Sequence, residues 1–155
     1  VNFAWLETKV PPPLVAVLTA IGMWALRTQL PSPDTAPMGD GRIAAAIAVL
    51  GVAIAVSGVI AFRRARTTTN PVHPGKASSL VRSGVYRITR NPMYLGVTIV
   101  LTGWAFGLGS AMTMIGPMLF VAYVTVFQIA PEERVLLGIF GDDYREYTRR
   151  VRRWI

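Results

Sequence analysis

The chain has 155 residues, of which 52% are hydrophobic and only 15% charged, less charge than a soluble domain of this length carries. It has no cysteine and one histidine, His73, which excludes disulfides, thiolate catalysis and cysteine metal sites and leaves too few ligands for a typical metal cluster. Its net charge of +8 admits nucleic acid or an anionic membrane surface as partner, and the placement of the charges decides between them.

The apolar residues fall in tracts. Val10 to Leu26, Ile43 to Phe62 and Asn91 to Pro131 carry no charge. Crossing a bilayer takes roughly 20 apolar residues at about 1.5 Å each, so the third tract is long enough to cross, turn and cross again. The first tract opens on Pro11-Pro12-Pro13, a rigid lead-in to a helix, and lacks the basic n-region of a cleavable signal. Arg27 stands near its far end, where it can snorkel to the interface. The second tract is rich in alanine and carries Gly51 and Gly58; small residues let helices approach closely in lipid. The turn in the third tract falls at Gly107-Leu108-Gly109-Ser110. The spacing thus predicts an all-α integral membrane protein with about four transmembrane helices, near 10–29, 43–62, 92–107 and 111–130. The residues between the second and third, 63–84, are rich in Pro, Gly, Thr and Ser and read as a structured loop.

After the hairpin, Pro131 suits a first helical turn, and Glu132 and Glu133 complement the helix dipole. Gly141 breaks this piece and Asp142 can cap the next. Phe140, Tyr144, Tyr147, Val151 and Trp154 then recur at helical spacing, opposite Arg145, Arg149, Arg150, Arg152 and Arg153. This predicts an amphipathic C-terminal helix lying on the membrane or on the loops. The whole reads as a single membrane domain, 1–155: scaffold helices over 1–62, then a loop, a hairpin and a C-terminal helix over 63–155.

Charge placement favours the membrane. Arg63, Arg64, Arg66, Lys76, Arg82, Arg87 and Arg90 fill one loop, and the tail holds most of the remaining arginines. The loops at 31–42 and 107–110 hold only Asp34, Asp40 and Arg42. By the positive-inside rule both termini and the 63–91 loop face the cytoplasm, as in a cell inner membrane. Membrane lipids, with no nucleic acid, are the expected partners.

Two constellations carry possible chemistry. In "SGVYRITRNPMYLG", residues 83–96, Asn91 can N-cap a helix that starts at Pro92, leaving free N–H groups and a positive dipole end for an anion. Arg90 stands beside it as a charge-assisted donor, and Tyr86 and Tyr94 add aromatic walls. The plainer reading is a capped membrane helix with arginine anchors and an aromatic belt. Glu132-Glu133 returns to the same interface, able to accept from ribose hydroxyls or an ammonium group; the plainer reading is dipole complementation. Gly103 to Gly107 is read as helix packing, and His73 as a polar loop residue.

The two blocks occur in order around one hairpin. "LVRSGVYRITRNPMYLG" (80–96) and "EERVLLGIFGDDYREYTRRV" (132–151) together resemble the isoprenylcysteine carboxyl methyltransferase family and its phospholipid methyltransferase relatives, and "TTTNP" (67–71) resembles a segment of bacterial members. The resemblance covers roughly 60–155. It implies an integral-membrane methyltransferase that uses S-adenosylmethionine and methylates a lipophilic small molecule or lipid. Carried over, it implies catalytic roles for Arg90 and Glu133. It implies cofactor binding by Gly84, Val85, Tyr86, Arg90, Asn91, Pro92, Tyr94, Leu95, Glu132 and Glu133, substrate contacts by Asn70, His73, Gln128 and Tyr144, and no metal. The chain departs from the family at Asn91, often histidine there, and at Gln128, where prenylcysteine enzymes tend to carry arginine. A carboxylate acceptor needs no general base, being ionised at neutral pH, which favours an oxygen or thiol acceptor over a headgroup amine. The alternatives are a phosphatidylethanolamine-type N-methyltransferase and a non-catalytic lipid-binding scaffold.

Overall fold

A computed structural model describes residues 9–29, 39–65 and 79–155; Asn70, His73 and the "TTTNP" segment lie outside them. Among the described residues every regular element is helical. Helix α1 is Pro12–Gln29, α2 is Gly41–Arg64, α3 is Pro92–Gly107, α4 is Ile115–Val124 and α5 is Ala130–Arg150. Short 3-10 turns, Gly84–Arg87 and Ala111–Met114, precede α3 and α4.

Glycine sets the closest packing. A Cβ on Gly51 would stand 2.6 Å from the Gly96 carbonyl, and one on Gly103 would stand 2.8 Å from that of Ala44. Gly58 faces Pro92 and Met93. The pairs 58–93, 51–96 and 44–103 run in opposite directions, so α2 and α3 are antiparallel with their backbones in contact. The Arg64 end of α2 therefore lies beside the start of α3. At the opposite end, Arg27 Nε donates to the Leu108 carbonyl at 3.0 Å and Gly39 N to Phe106 O at 2.9 Å. The hairpin turn falls where the glycines predict it, with Gly109 at φ 70°. A core of Met23, Leu101, Ala105, Phe120, Val124 and Ile129 joins α1, α3 and α4.

The outward surface is apolar. Leu14, Val17, Leu18, Ile21 and Trp24 on α1, and Val49, Leu50, Val52 and Val56 on α2, are exposed, whereas the residues α2 buries are Gly51, Gly58 and Ala61. Among the described residues, two helical runs, Gly41–Arg64 and Ala111–Arg150, are long and apolar enough to cross a membrane.

The sequence expectation differs from the structure in two places here. Between α4 and α5 the chain does not stop and restart. It continues through a π turn, Thr125–Ile129, in which Ala130 N bonds to Thr125 O. Proline lacks a donor and crowds the carbonyl four residues back, and widening the helix just before Pro131 relieves both. Gly141 does break the following helix, at φ 51°, ψ −121°, while Asp142 accepts from the Arg145 side chain at 2.9 Å. The second difference is the tail. The helix ends at Arg150, and Val151 is extended at φ −122°, ψ 129°. Helical spacing through Trp154 is not followed because the tail backbone bonds elsewhere. Arg152 O accepts from Arg90 N at 3.1 Å, and Thr89 and Arg152 form a parallel bridge.

Candidate active site

The site gathers at the α2–Arg64 end, where residues 83–94 meet α5 and the tail. Gly84, at φ 60°, starts the 3-10 turn that buries Tyr86 against Phe62, ring centroids 5.3 Å apart. Tyr147 Oη donates to Tyr86 O at 2.7 Å, fixing α5 to this turn. Thr89, buried, accepts from Asn91 N at 3.1 Å and donates to Arg153 O at 3.3 Å.

Asn91 occupies the cap position of α3 but its side chain makes no capping bond. This corrects the sequence expectation. Its Nδ2 donates to the Arg153 carbonyl at 3.0 Å, so the amide holds the tail. Pro92 is fully buried and packs against α2 at Gly58.

Consecutive residues on a helix project about 100° apart, and the two glutamates meet different partners. Glu132 accepts from Tyr94 Oη at 2.7 Å. Burial pushes its carboxyl up to about 7, helped by the negative charge of Glu133 and opposed by the Tyr94 hydrogen bond. Glu133 lies between two guanidiniums. Arg90 Nη1 is 2.9 Å from Oε1, and Arg153 forks onto both oxygens, Nε to Oε1 at 3.1 Å and Nη2 to Oε2 at 2.6 Å. The fork raises the Arg153 pKa further. Two cations against one carboxylate leave the Arg90–Glu133–Arg153 group one positive charge in excess, with Glu132 beside it. Arg90 Nε is buried with no hydrogen-bond partner among the described residues.

Tyr144 is 5% exposed; burial pushes its phenol up to about 12, opposed by the nearby Arg90 guanidinium. Burial also raises the phenols of Tyr86 and Tyr147.

The structure thus brings Tyr86, Arg90, Tyr94, Glu132, Glu133 and Tyr144 into one cluster. Gly84 and Val85 form its approach, Gly84 exposed and Val85 packed beside Tyr86. Leu95 is half-buried in the first turns of α3, its N–H bonded to Asn91 O. Gln128 is fully buried on the π turn. Its Nε2 donates to Val10 O at 2.8 Å, and its Oε1 has no partner among the described residues. Sequence reasoning missed Arg153, Thr89 and Tyr147. Arg153 counts as one of a basic face until its partner, 20 residues back, is known.

The molecule is a helical bundle with lipid-compatible outer surfaces and an arginine–carboxylate–tyrosine cluster at one end. Residues 41–143 match the phospholipid methyltransferase family, and the chain belongs to that family. It is 41% identical over 70 residues to methanethiol S-methyltransferase 1 of Bradyrhizobium diazoefficiens, covering 43% of this chain and 22% of that one. It is 30% identical over 109 residues to a probable protein-S-isoprenylcysteine O-methyltransferase of Oryza sativa subsp. indica, covering 66% of this chain and 54% of that one. It is also 41% identical over 63 residues to an uncharacterized protein of Haemophilus influenzae, covering 41% of this chain and all of that one. The chain thus spans about a fifth and about half of the two relatives with named activities. No solved structure matches it.

Proposed function

We propose that this is an integral-membrane methyltransferase that takes its methyl group from S-adenosylmethionine and delivers it to a lipophilic acceptor from the bilayer. One observation carries the reading. Two segments that bracket the hairpin in sequence meet in a cluster with one tyrosine-bonded carboxylate and one arginine-clamped carboxylate.

The donor set fits the cofactor's amino-acid end. A carboxylate needs cationic donors, and the Arg90–Glu133–Arg153 group carries one positive charge in excess and, among the described residues, an unspent buried donor at Arg90 Nε. An ammonium needs a carboxylate, and among the described residues the hydrogen bond to Glu132 comes from a phenol. Gly84, Val85 and Tyr86, with Asn91, Pro92 and Leu95 at the head of α3, are the proposed remaining wall. When bound, the cofactor supplies an electrophilic methyl group for in-line transfer. The chain supplies alignment and exclusion of water. Arg90 and Glu132 hold the amino-acid end and Glu133 fixes Arg90, while half-buried Tyr94 and buried Tyr144 close the cluster.

An oxygen or sulfur acceptor is the preferred reading, since the two relatives carry those atoms in their names and an ionised carboxylate needs no base. A second reading, transfer to a phospholipid amine, is favoured by the pKa of Glu132, about 7, which suits a group that must take a proton at neutral pH. Gln128, buried with a free acceptor oxygen, is a proposed substrate contact, as are Asn70 and His73 in the preceding loop.

In the membrane, the proposal has four spans. Helix α3, at 16 residues and about 24 Å, is shorter than the bilayer core, which favours local thinning. The arginine-rich end, with Arg63, Arg64, Arg82 and Arg87 beside the site, faces the cytoplasm. The test is binding of labelled S-adenosylmethionine to the purified, folded protein in detergent, then mass spectrometry of lipid extracts incubated with labelled donor. Absence of binding at millimolar cofactor would sink the enzyme reading in favour of a lipid-binding scaffold. The labelled product would name the acceptor atom.

A further inference from the structure

Arg153 enters the cluster from beyond the family match, which ends at residue 143. Its fork takes both oxygens of Glu133, whereas the closest approach of Arg90 to that carboxylate is Nη1 to Oε1 at 2.9 Å. The Arg153 carbonyl is held by Thr89 Oγ1 and Asn91 Nδ2, and the carbonyl before it by Arg90 N. Thr89, Arg90 and Asn91 are consecutive. The segment that carries Arg90 therefore also aims the guanidinium of Arg153.

We propose that Arg153 is a positioning residue: by taking both oxygens of Glu133 it keeps that carboxylate from closing on Arg90, and so holds Arg90 open for the carboxylate of an amino-acid ligand. The inference rests on the cofactor reading above. Carboxylate and guanidinium pair most strongly through two parallel bonds. Glu133 has that geometry with Arg153. Without Arg153 the nearest guanidinium is Arg90, and a change of side-chain torsion gives Glu133 the same fork there. The donor that a ligand needs is then spent internally. Arg153 does this without touching the ligand.

The experiment is calorimetric titration of the full chain in detergent with S-adenosylmethionine and with its decarboxylated form, which differ only in the carboxylate. Wild type is expected to prefer S-adenosylmethionine. Arg153→Ala is expected to bind it about tenfold more weakly, as for one lost charge-assisted hydrogen bond, with under about twofold change for the decarboxylated compound. Arg153→Lys keeps the charge without the fork and is expected to fall between. In a Glu133→Gln background no carboxylate remains to close on Arg90, so adding Arg153→Ala is expected to leave the preference as it is.

Equal loss of both ligands in Arg153→Ala, or an unchanged preference, would overturn the proposal while leaving the cofactor reading standing. A wild type that binds both compounds equally overturns the carboxylate assignment to Arg90, and a wild type that binds neither overturns the cofactor reading; the proposal falls with each. If Arg153→Ala loses its melting transition, Arg153→Lys, read against the same ligand pair, decides the question.

Discussion

The two ends of α3 are built from different materials. At the hairpin end the chain is tied mainly by neutral groups: Thr113 Oγ1 donates to Ala105 O at 3.0 Å and to Ser110 O at 2.6 Å, and Gly39 N to Phe106 O at 2.9 Å, beside a single guanidinium, Arg27, on the Leu108 carbonyl. At the Pro92 end the ties include two arginines, two glutamates and two tyrosines. Holding a helix end in place needs no cluster of opposed charges: the hairpin end is held by backbone and hydroxyl bonds and one arginine on a carbonyl. Buried charge is costly and makes weak scaffolding. The surplus of titratable groups at one end is what supports the proposal that chemistry happens there.

The comparison breaks first if the glycine seam between the ends is opened. Gly96→Val would set a Cβ 2.5 Å from Gly51 O and 2.6 Å from Ala55 N, both backbone atoms that cannot swing aside. Loss of folded protein is expected, read as loss of the monodisperse peak and melting transition in detergent.

Next comes Glu133→Gln. It leaves two guanidiniums facing each other, Arg90 at 14% side-chain exposure and Arg153 at 39%. Breaking a buried pair costs about 3–5 kcal/mol, and partial exposure of Arg153 brings the expectation to about 2–3 kcal/mol. The Tm should fall and S-adenosylmethionine affinity with it. An unchanged Tm would mean that the charged end is held by the tail's backbone bonds alone.

The third expectation concerns pH. Glu132 titrates at about 7 in the folded protein, above its ordinary value, so between roughly pH 4.5 and 7 the folded state holds the extra proton. Its contribution favours folding at low pH and fades as pH rises through 7. Cofactor affinity should run the other way, since an ammonium needs the ionised form. It should weaken by up to about tenfold per pH unit below 7. Glu132→Gln should bind more weakly and flatten both slopes, while Thr113 variants should leave them in place. The smallest effect belongs to the neutral end. Thr113→Val removes the hydroxyl ties to Ala105 and Ser110 for about 1 kcal/mol of stability, with affinity for S-adenosylmethionine unchanged. A loss of affinity there would mean that the two ends are coupled through α3.

The neutral end was the more legible of the two in sequence. Gly107 to Ser110 announces a turn by composition, and the uncharged tract around it announces helices by length. The charged end was legible as a set of residues, because Arg90, Tyr94, Glu132 and Glu133 are unusual beside apolar tracts. Their pairing was not. Asn91 before Pro92 has the local form of a cap, yet its amide is claimed by a carbonyl 62 residues away, and local pattern carries no trace of such a bond. Tyr144, Tyr147, Val151 and Trp154 fit a helix equally well whether or not the helix continues, so the extended tail was invisible until its partners at 89–91 were seen.

The π turn before Pro131 works as a frame shift. It inserts one residue into the helix without turning the flanking parts away from their neighbours. Ironed into a regular helix, the downstream chain would move on by one position, about 100° of rotation. Pro131 would then face Tyr94, and Glu132 would stand between the two arginines. The acid outside the arginine pair, which the proposed function gives to the ligand, would be gone. One residue of slack, five positions upstream, decides which glutamate is locked and which is spare.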